Sequence, residues 1–434
     1  MAEPHPEPLP SPARAYALLG TIVIAYVGVY LCRKNLSVAV PVLQKTWGLT
    51  KSQVGVIESV GTATYAFGKF FWGPVTDRIG GRASLLGSML LVALFGAAGA
   101  LAPSLLVLTL LYSLNRLFGS ASWGAMVKLV PEWFAPKTLA FACGLLSLSY
   151  VFGGALASSF AGLVARLTRE SLPAILALPS LVLIVLALAC GWVLLRAARP
   201  AAAPDPAAQN PRFQFRQVFE LFWDKGFLAV LALSFTLTLL RETFNFWTVD
   251  FLRTEGGARV SVSEAAFLST RFDLCGVAGI VLMGWIYGRL GVAARRGLLA
   301  ALLTLLAALL ALLPRFFHLG PGAMAVGVGA VGFLVYGPYS LLSGVLAVEV
   351  RGREYTATVA GLVDGVGYIA GFLSGVCFGK LLMLGGYRLG FQVMAALTLV
   401  SALTCFMLYS KRPPASLRAA VPPGSAYPIA PENP

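Results

Sequence analysis

Residues 16–43 read YALLGTIVIAYVGVYLCRKNLSVAVPVL. The run exceeds the roughly 20 apolar residues a helix needs to cross a hydrocarbon core, yet Arg33 and Lys34 sit well inside it. Comparable runs follow at Val54–Val75, Ala83–Ala102, Leu105–Val130, Leu139–Leu167, Leu172–Leu195, Phe227–Phe251, Ala265–Leu290, Leu298–Leu313, Ala323–Val348, Thr356–Leu384 and Phe391–Tyr409. Backbone N–H and C=O groups find no water in lipid, so each run is expected to be a helix. The ten-residue alternation of a membrane barrel is absent. The expected fold is therefore an all-α membrane protein with twelve transmembrane helices.

Composition agrees. Of 434 residues, 58% are hydrophobic and only 12% charged, where a soluble domain carries about a quarter charged residues. The stretch 196–226 holds Pro200, Pro204, Pro206 and Pro211 with several arginines, and reads as a cytoplasmic linker between six-helix bundles at 16–195 and 227–410. Residues 1–15 and 411–434 read as polar, Pro-rich cytoplasmic tails, the second disordered. Met1–Arg14 lacks the apolar core of a signal peptide, so the first run is expected to be retained.

The formal net charge of +15 does not indicate nucleic acid, because most Lys and Arg fall in short segments between spans. With both termini inside, about eighteen of them lie on the cytoplasmic side and about nine on the other. The location expected is the plasma membrane, the inner membrane in a bacterium. Six cysteines fall within spans without CxxC spacing, and the two histidines, His5 and His318, lie in a tail and a loop. No metal, cofactor or catalytic constellation is expected, and no enzyme. A monomer in contact with lipid is expected.

An ionised side chain near the bilayer centre costs at least ~2.5–3.5 kcal/mol, so each one points to function. Tyr26, Tyr30 and Arg33 share a helix face by their seven- and three-residue offsets. In span two, Glu58, Thr62, Tyr65 and Lys69 form a stripe, as Ser234, Thr238, Arg241, Asn245 and Thr248 do in span seven. Such stripes must line a watery cavity between helices. Guanidinium, ammonium and phenol groups together suit an oxyanion such as phosphate. The plainer alternative has Arg33 or Arg241 snorkelling to an interface, and Lys69 lying at the cytoplasmic interface. The acids Glu58, Asp273 and Asp364 need partners, with Arg241, Arg116 or Lys69 available, or else couple protons. Glu242 follows Arg241 directly and should point elsewhere. Gly367, Gly371, Gly375 and Gly379 put glycine along one face of span eleven, a device for close packing.

Gly73-Pro74-Val75-Thr76-Asp77-Arg78-Ile79-Gly80-Gly81-Arg82 resembles the loop signature of the major facilitator superfamily, which implies the major facilitator fold. Asp77, Arg78 and Arg82 would then latch neighbouring helix termini and act in gating. Gly284-Trp285-Ile286-Tyr287-Gly288-Arg289 stands at the matching place in the second half without the acid. Within that superfamily the chain resembles the organophosphate:inorganic phosphate antiporters. The resemblance rests on Tyr30-Leu31-Cys32-Arg33-Lys34-Asn35, Tyr65-Ala66-Phe67-Gly68-Lys69-Phe70 and Gly332-Phe333-Leu334-Val335-Tyr336-Gly337-Pro338.

That resemblance implies a central phosphate site from Arg33 and Arg241, with Lys34, Lys69, Tyr26, Tyr30 and Tyr65 nearby. Tyr150 falls where the glycerol-3-phosphate branch has a histidine. Trp123-Gly124-Ala125 replaces a family Trp-Pro-Pro, and Asp364 replaces a family glycine; these departures leave the organic part of the substrate open. The expected function is alternating-access exchange of an organic phosphate for inorganic phosphate. The alternatives are a proton-coupled organic-anion carrier of the same superfamily and a transporter-like sensor of a phosphate ester.

The charge asymmetry makes a topological prediction. A cysteine placed at Ala207 should react with membrane-impermeant thiol reagents only after cells are permeabilised; labelling in intact cells would invert the topology.

Overall fold

The computed structural model describes residues 10–134, 136–197, 223–257, 260–342, 346 and 356–408. The helices are α1 (Pro12–Trp47), α2 (Lys51–Ile79), α3 (Gly81–Gly99), α4 (Leu105–Leu129), α5 (Pro136–Leu167) and α6 (Leu172–Arg196), followed by α7 (Lys225–Gly256), α8 (Val262–Arg289), α9 (Val292–Leu312), α10 (Pro321–Tyr339) and α11 (Thr356–Thr404). The last is two rods joined at Gly385 and Gly386, whose backbone angles are non-helical; Gly386 takes φ 62°, which a side chain rarely tolerates. Twelve rods result.

Among the described residues ten helices are long and apolar enough to cross a membrane. The long helix outside that group is α2, whose Glu58 and Lys69 dilute its apolarity because they face the protein's interior. Caps fix several starts. Thr50 and Gln53 form a reciprocal capping box at α2, while the side chains of Asp224 and Ser261 accept from Phe227 and Glu264 amides at α7 and α8. Outward faces are apolar: Leu181, Val185, Leu188 and Trp192 of α6 are all exposed, as side chains meeting lipid must be.

Helices α1–α6 form one bundle and α7–α11 the other, and they meet along α2–α11, α5–α8 and α1–α7. The linker expected at 196–226 and the tails fall largely outside the described residues. The glycine stripe packs as its spacing predicts. A Cβ on Gly375 would overlap the carbonyl oxygen of Gly55 in α2, and one on Gly379 would press on the Lys51 carbonyl. Beside them, Ser59 Oγ donates to Phe372 O (2.5 Å) and accepts from the Val376 amide (2.8 Å), so α2 and α11 touch backbone to backbone.

The signature loop is described in part; the side chain of Asp77 lies outside the described residues. Arg78 is exposed and Arg82 buried. Arg82 donates to the Leu194 and Ala197 carbonyls at 3.1 and 2.7 Å and reaches Glu132 at 3.5 Å. A cation on carbonyls at the C-terminal end of α6 satisfies groups that the helix leaves open.

On the face carrying the α1–α2, α5–α6 and α7–α8 turns, a polar clasp ties the bundles together. Asp250 of α7, 2% exposed, accepts from Lys51 (2.6 Å), Gln44 (2.8 Å) and Tyr387 (2.5 Å). Glu170 reaches Arg253 at 3.2 Å and Lys45 at 3.9 Å. Breaking a buried pair costs several kcal/mol, and the partial exposure of Lys51 lowers this to ~2 kcal/mol. Asp250→Asn should therefore shift the population toward the state open on this face by roughly thirtyfold. The readout is thiol labelling of a cysteine at Ser37, just beneath the clasp; an unchanged rate would show that the clasp does not hold this face.

Candidate functional site

Below the clasp, toward the face carrying the N-terminal end of α1 and both termini of α11, lies a cavity of about 270 Å³. Arg33 of α1 and Arg241 of α7 enter it from opposite bundles. Each stands past the middle of the first helix of its bundle, as a site on the axis between two similar halves requires. Tyr26, Tyr30, Tyr65, Lys69 and Tyr150 all line it, together with Arg116, Trp123, Tyr339, Asp364 and Tyr368.

Aromatic rings surround the cations. Arg33 lies 5.3 Å from the Tyr30 ring and 5.2 Å from Tyr65, and Arg241 lies 4.6 Å from Tyr339. Lys69 faces Tyr65 and Tyr368 at 5.6 and 5.4 Å. Ring faces hold a cation by their quadrupole without using its N–H donors. Tyr26 packs on Tyr30 and Trp123, and Trp123 on Tyr150, which forms an aromatic wall. Arg33 and Lys69 both turn into this cavity.

The acids are arranged differently from the sequence reading. Glu242 occupies the space between the two arginines: Oε1 pairs with Arg241 and Oε2 lies 3.6 Å from Arg33 Nη2. Adjacent residues on a helix do diverge by about 100° at Cα, but the long Arg241 side chain curls back across that angle. The expectation that Glu242 points elsewhere is corrected by this geometry.

Asp273 is paired with Lys34 rather than with Arg241, Arg116 or Lys69. The Lys34 ammonium lies 3.2 Å from Asp273 and donates to Asn245 at 2.5 Å, while Tyr336 donates to the other Asp273 oxygen at 2.8 Å. Lys34 is thus engaged in a tie between bundles, next to the arginines. Glu58 accepts from Tyr112 at 3.0 Å and Thr62 at 3.2 Å, with Arg116 and Arg33 in electrostatic reach. Asp364 is exposed in the wall, in reach of Lys69 and Arg241.

Two donors stand out. The Nε atoms of Arg116 and Arg241 are buried without a hydrogen-bond partner, an arrangement expensive to maintain unless a ligand supplies the acceptor. Arg116, 3% exposed, lies 4.7 Å from the Tyr65 ring. The sequence flagged it as an intramembrane cation without placing it. Among the described residues no group of three or more His, Cys, Asp or Glu could hold a metal.

Two helical bundles closing on a polar central cavity define a multi-pass transport protein rather than an enzyme. The chain belongs to the Major Facilitator Superfamily, whose model matches residues 22–375. It is 25% identical over 368 residues to the glycerol-3-phosphate transporter of Bacillus subtilis (strain 168), covering 81% of this chain and 82% of that one. It is 23% identical over 424 residues to a probable hexose phosphate transport protein of Chlamydia pneumoniae, covering 88% of each. In fold it is similar to the crystal structure of a bacterial homologue of the human lysosomal transporter Spinster, in an inward-facing and occupied conformation. That match has a TM-score of 0.76 at 15% identity and covers 92% of this chain and 97% of that one.

The Lys34–Asp273 tie can be tested by a double-mutant cycle. Asp273→Asn leaves a largely buried ammonium without its carboxylate and should cost ~3 kcal/mol of stability. Lys34→Met alone should also destabilise by stranding the carboxylate, and Lys34→Met combined with Asp273→Asn should recover most of the loss, because both charges are then gone. Thermal unfolding in detergent gives the answer; simply additive losses would show that the two are not coupled.

Proposed function

We propose that this protein carries phosphate esters across the plasma membrane, exchanging glycerol phosphate or a sugar phosphate for inorganic phosphate by alternating access. The reading rests above all on Arg33 and Arg241, which enter one cavity from matching helices and converge on a single carboxylate. Where two guanidiniums can share one carboxylate, they can share a phosphate oxyanion, and phosphate offers more acceptors. The printed functions of the two relatives, glycerol-3-phosphate and hexose phosphate transport, support the same ligand class.

In this reading both termini and the 196–226 linker face the cytoplasm, and the cavity is reached from that side while the clasp shuts the other. Arg33 and Arg241 grip the phosphate, and Lys69 and Arg116 add charge beside it. The hydroxyls of Tyr26, Tyr30, Tyr65 and Tyr150 donate around it, and the wall near Asp364 and Tyr368 meets the organic group. Lys34 acts on closure through Asp273, and Asp77, Arg78 and Arg82 act in the conformational step.

Proteoliposomes loaded with labelled phosphate should release it in exchange for external glycerol or sugar phosphates. A chain that bound phosphate and moved none would read as a sensor, and dependence on a pH gradient would favour proton-coupled anion carriage. In purified protein, Arg33→Ala or Arg241→Ala should each remove charge-assisted bonds worth roughly 1.5–3 kcal/mol, weakening phosphate binding by about ten- to over a hundredfold. Lysine at either position keeps the charge, loses the fork, and should cost less. Tyr26→Phe or Tyr30→Phe should be milder still. Parental phosphate binding by well-folded forms of both alanine variants would refute the two-arginine site.

A further inference from the structure

We infer that Glu242 is a built-in stand-in for the substrate, an anion that fills the two-arginine site of the empty carrier and must be displaced for phosphate to bind. The inference rests on the phosphate-carrier reading above and adds to it a determinant of affinity and of coupling.

Glu242 is 6% exposed and sits at the focus of the cationic cavity. Its two oxygens are divided between Arg241 and Arg33, one from each bundle, and Arg116 and Lys34 also bear on it. Of the other acids beneath the clasp, Glu58 is held by Tyr112 and Thr62 and Asp273 by Lys34 and Tyr336, while Asp364 stands in the cavity wall within reach of Lys69 and Arg241. Glu242 is the carboxylate ion-paired with both Arg33 and Arg241, the two donors a phosphate would use first. The competition is incomplete, since Arg241 Nε stays buried without a partner while Glu242 is in place. A phosphate, with more acceptor oxygens than a carboxylate, can engage donors that Glu242 leaves unused.

Two consequences follow. Bound phosphate lies against a carboxylate of like charge, so affinity is set below what two arginines alone would give. In the empty carrier the repulsion between Arg33 and Arg241 is also already screened by the carboxylate between them. Without Glu242, two facing guanidiniums would repel as the bundles rock together with no ligand between them, and only the loaded carrier would cross over readily. With Glu242, the empty carrier can cross over as well, so net phosphate movement accompanies exchange.

The experiment uses the full-length protein, purified and reconstituted with labelled internal phosphate. Efflux is measured into buffer with and without external phosphate, and equilibrium phosphate binding is measured in detergent. The parent should show net efflux as a substantial fraction of exchange. Glu242→Gln, which keeps shape and removes charge, should bind phosphate about tenfold or more tightly and should lose net efflux relative to exchange. Glu242→Asp, with its carboxylate withdrawn by one methylene, should fall between the two, and it decides the matter alone if the glutamine variant does not fold. A Glu242 that merely braced the arginines would give the opposite sign, weaker binding on substitution. Folded variants that bind phosphate with parental affinity or less, or that keep the parental ratio of net efflux to exchange, would overturn the inference and leave the carrier reading intact. A parent that neither binds nor exchanges phosphate would overturn both.

Discussion

A charge in the middle of a bilayer has no water to turn to, and that constraint orders the interior of this protein. Cations enter from α1, α2, α4 and α7, and they are neutralised in two distinct ways. Lys34 and Lys51 meet carboxylates that also accept from Tyr336 or Tyr387. Those pairs have nearly full coordination and bind one bundle to the other. Arg33, Arg241, Arg116 and Lys69 are instead held by ring faces and a shared glutamate, with the Nε donors of Arg116 and Arg241 left over. The first group holds a conformation together. The second group is available for exchange with a ligand. The two sets are neighbours: Arg33 and Lys34 are consecutive residues, one in each.

Most of the architecture was legible in the sequence because hydropathy and helix length follow directly from the solvent. Even α2, too polar to pass as a membrane span on composition, was legible, since Glu58, Thr62, Tyr65 and Lys69 recur at helical spacing. The glycine stripe of span eleven announced a close approach, and Gly375 against Gly55 provides it. Boundaries were less legible. The expected gap between Leu384 and Phe391 is only a two-glycine kink, with helix resuming at once.

Partners were the hardest part to read, for a geometric reason. Spacing tells which face a Cα presents, and consecutive Arg33 and Lys34 do present different faces, although the resemblance had grouped both at the phosphate site. The spacing rule failed at Arg241 and Glu242, because a guanidinium lies so far from its Cα that flexible torsions can undo the angular separation. Long-range partners are invisible to any periodicity. Nothing local to Lys34 indicates that its carboxylate lies 239 residues later, and nothing local to Arg116 indicates Tyr65. The cost of intramembrane charge had marked Arg116 as notable, and mid-span Glu242 met the same criterion.

The α2–α11 contact bears on how the molecule moves. Where Gly55 meets Gly375 and Gly379 meets Lys51, the surfaces are main chain and hydrogen atoms, with no interlocked side chains between them. Interdigitated leucines would have to leave their rotamer wells before two helices could part, and that rearrangement acts as friction. A smooth seam lacks it, so the resistance to opening is concentrated in a few polar rivets, Ser59 among them. Such a joint behaves like a latch: it is stiff until the rivets let go, and then it swings with little drag.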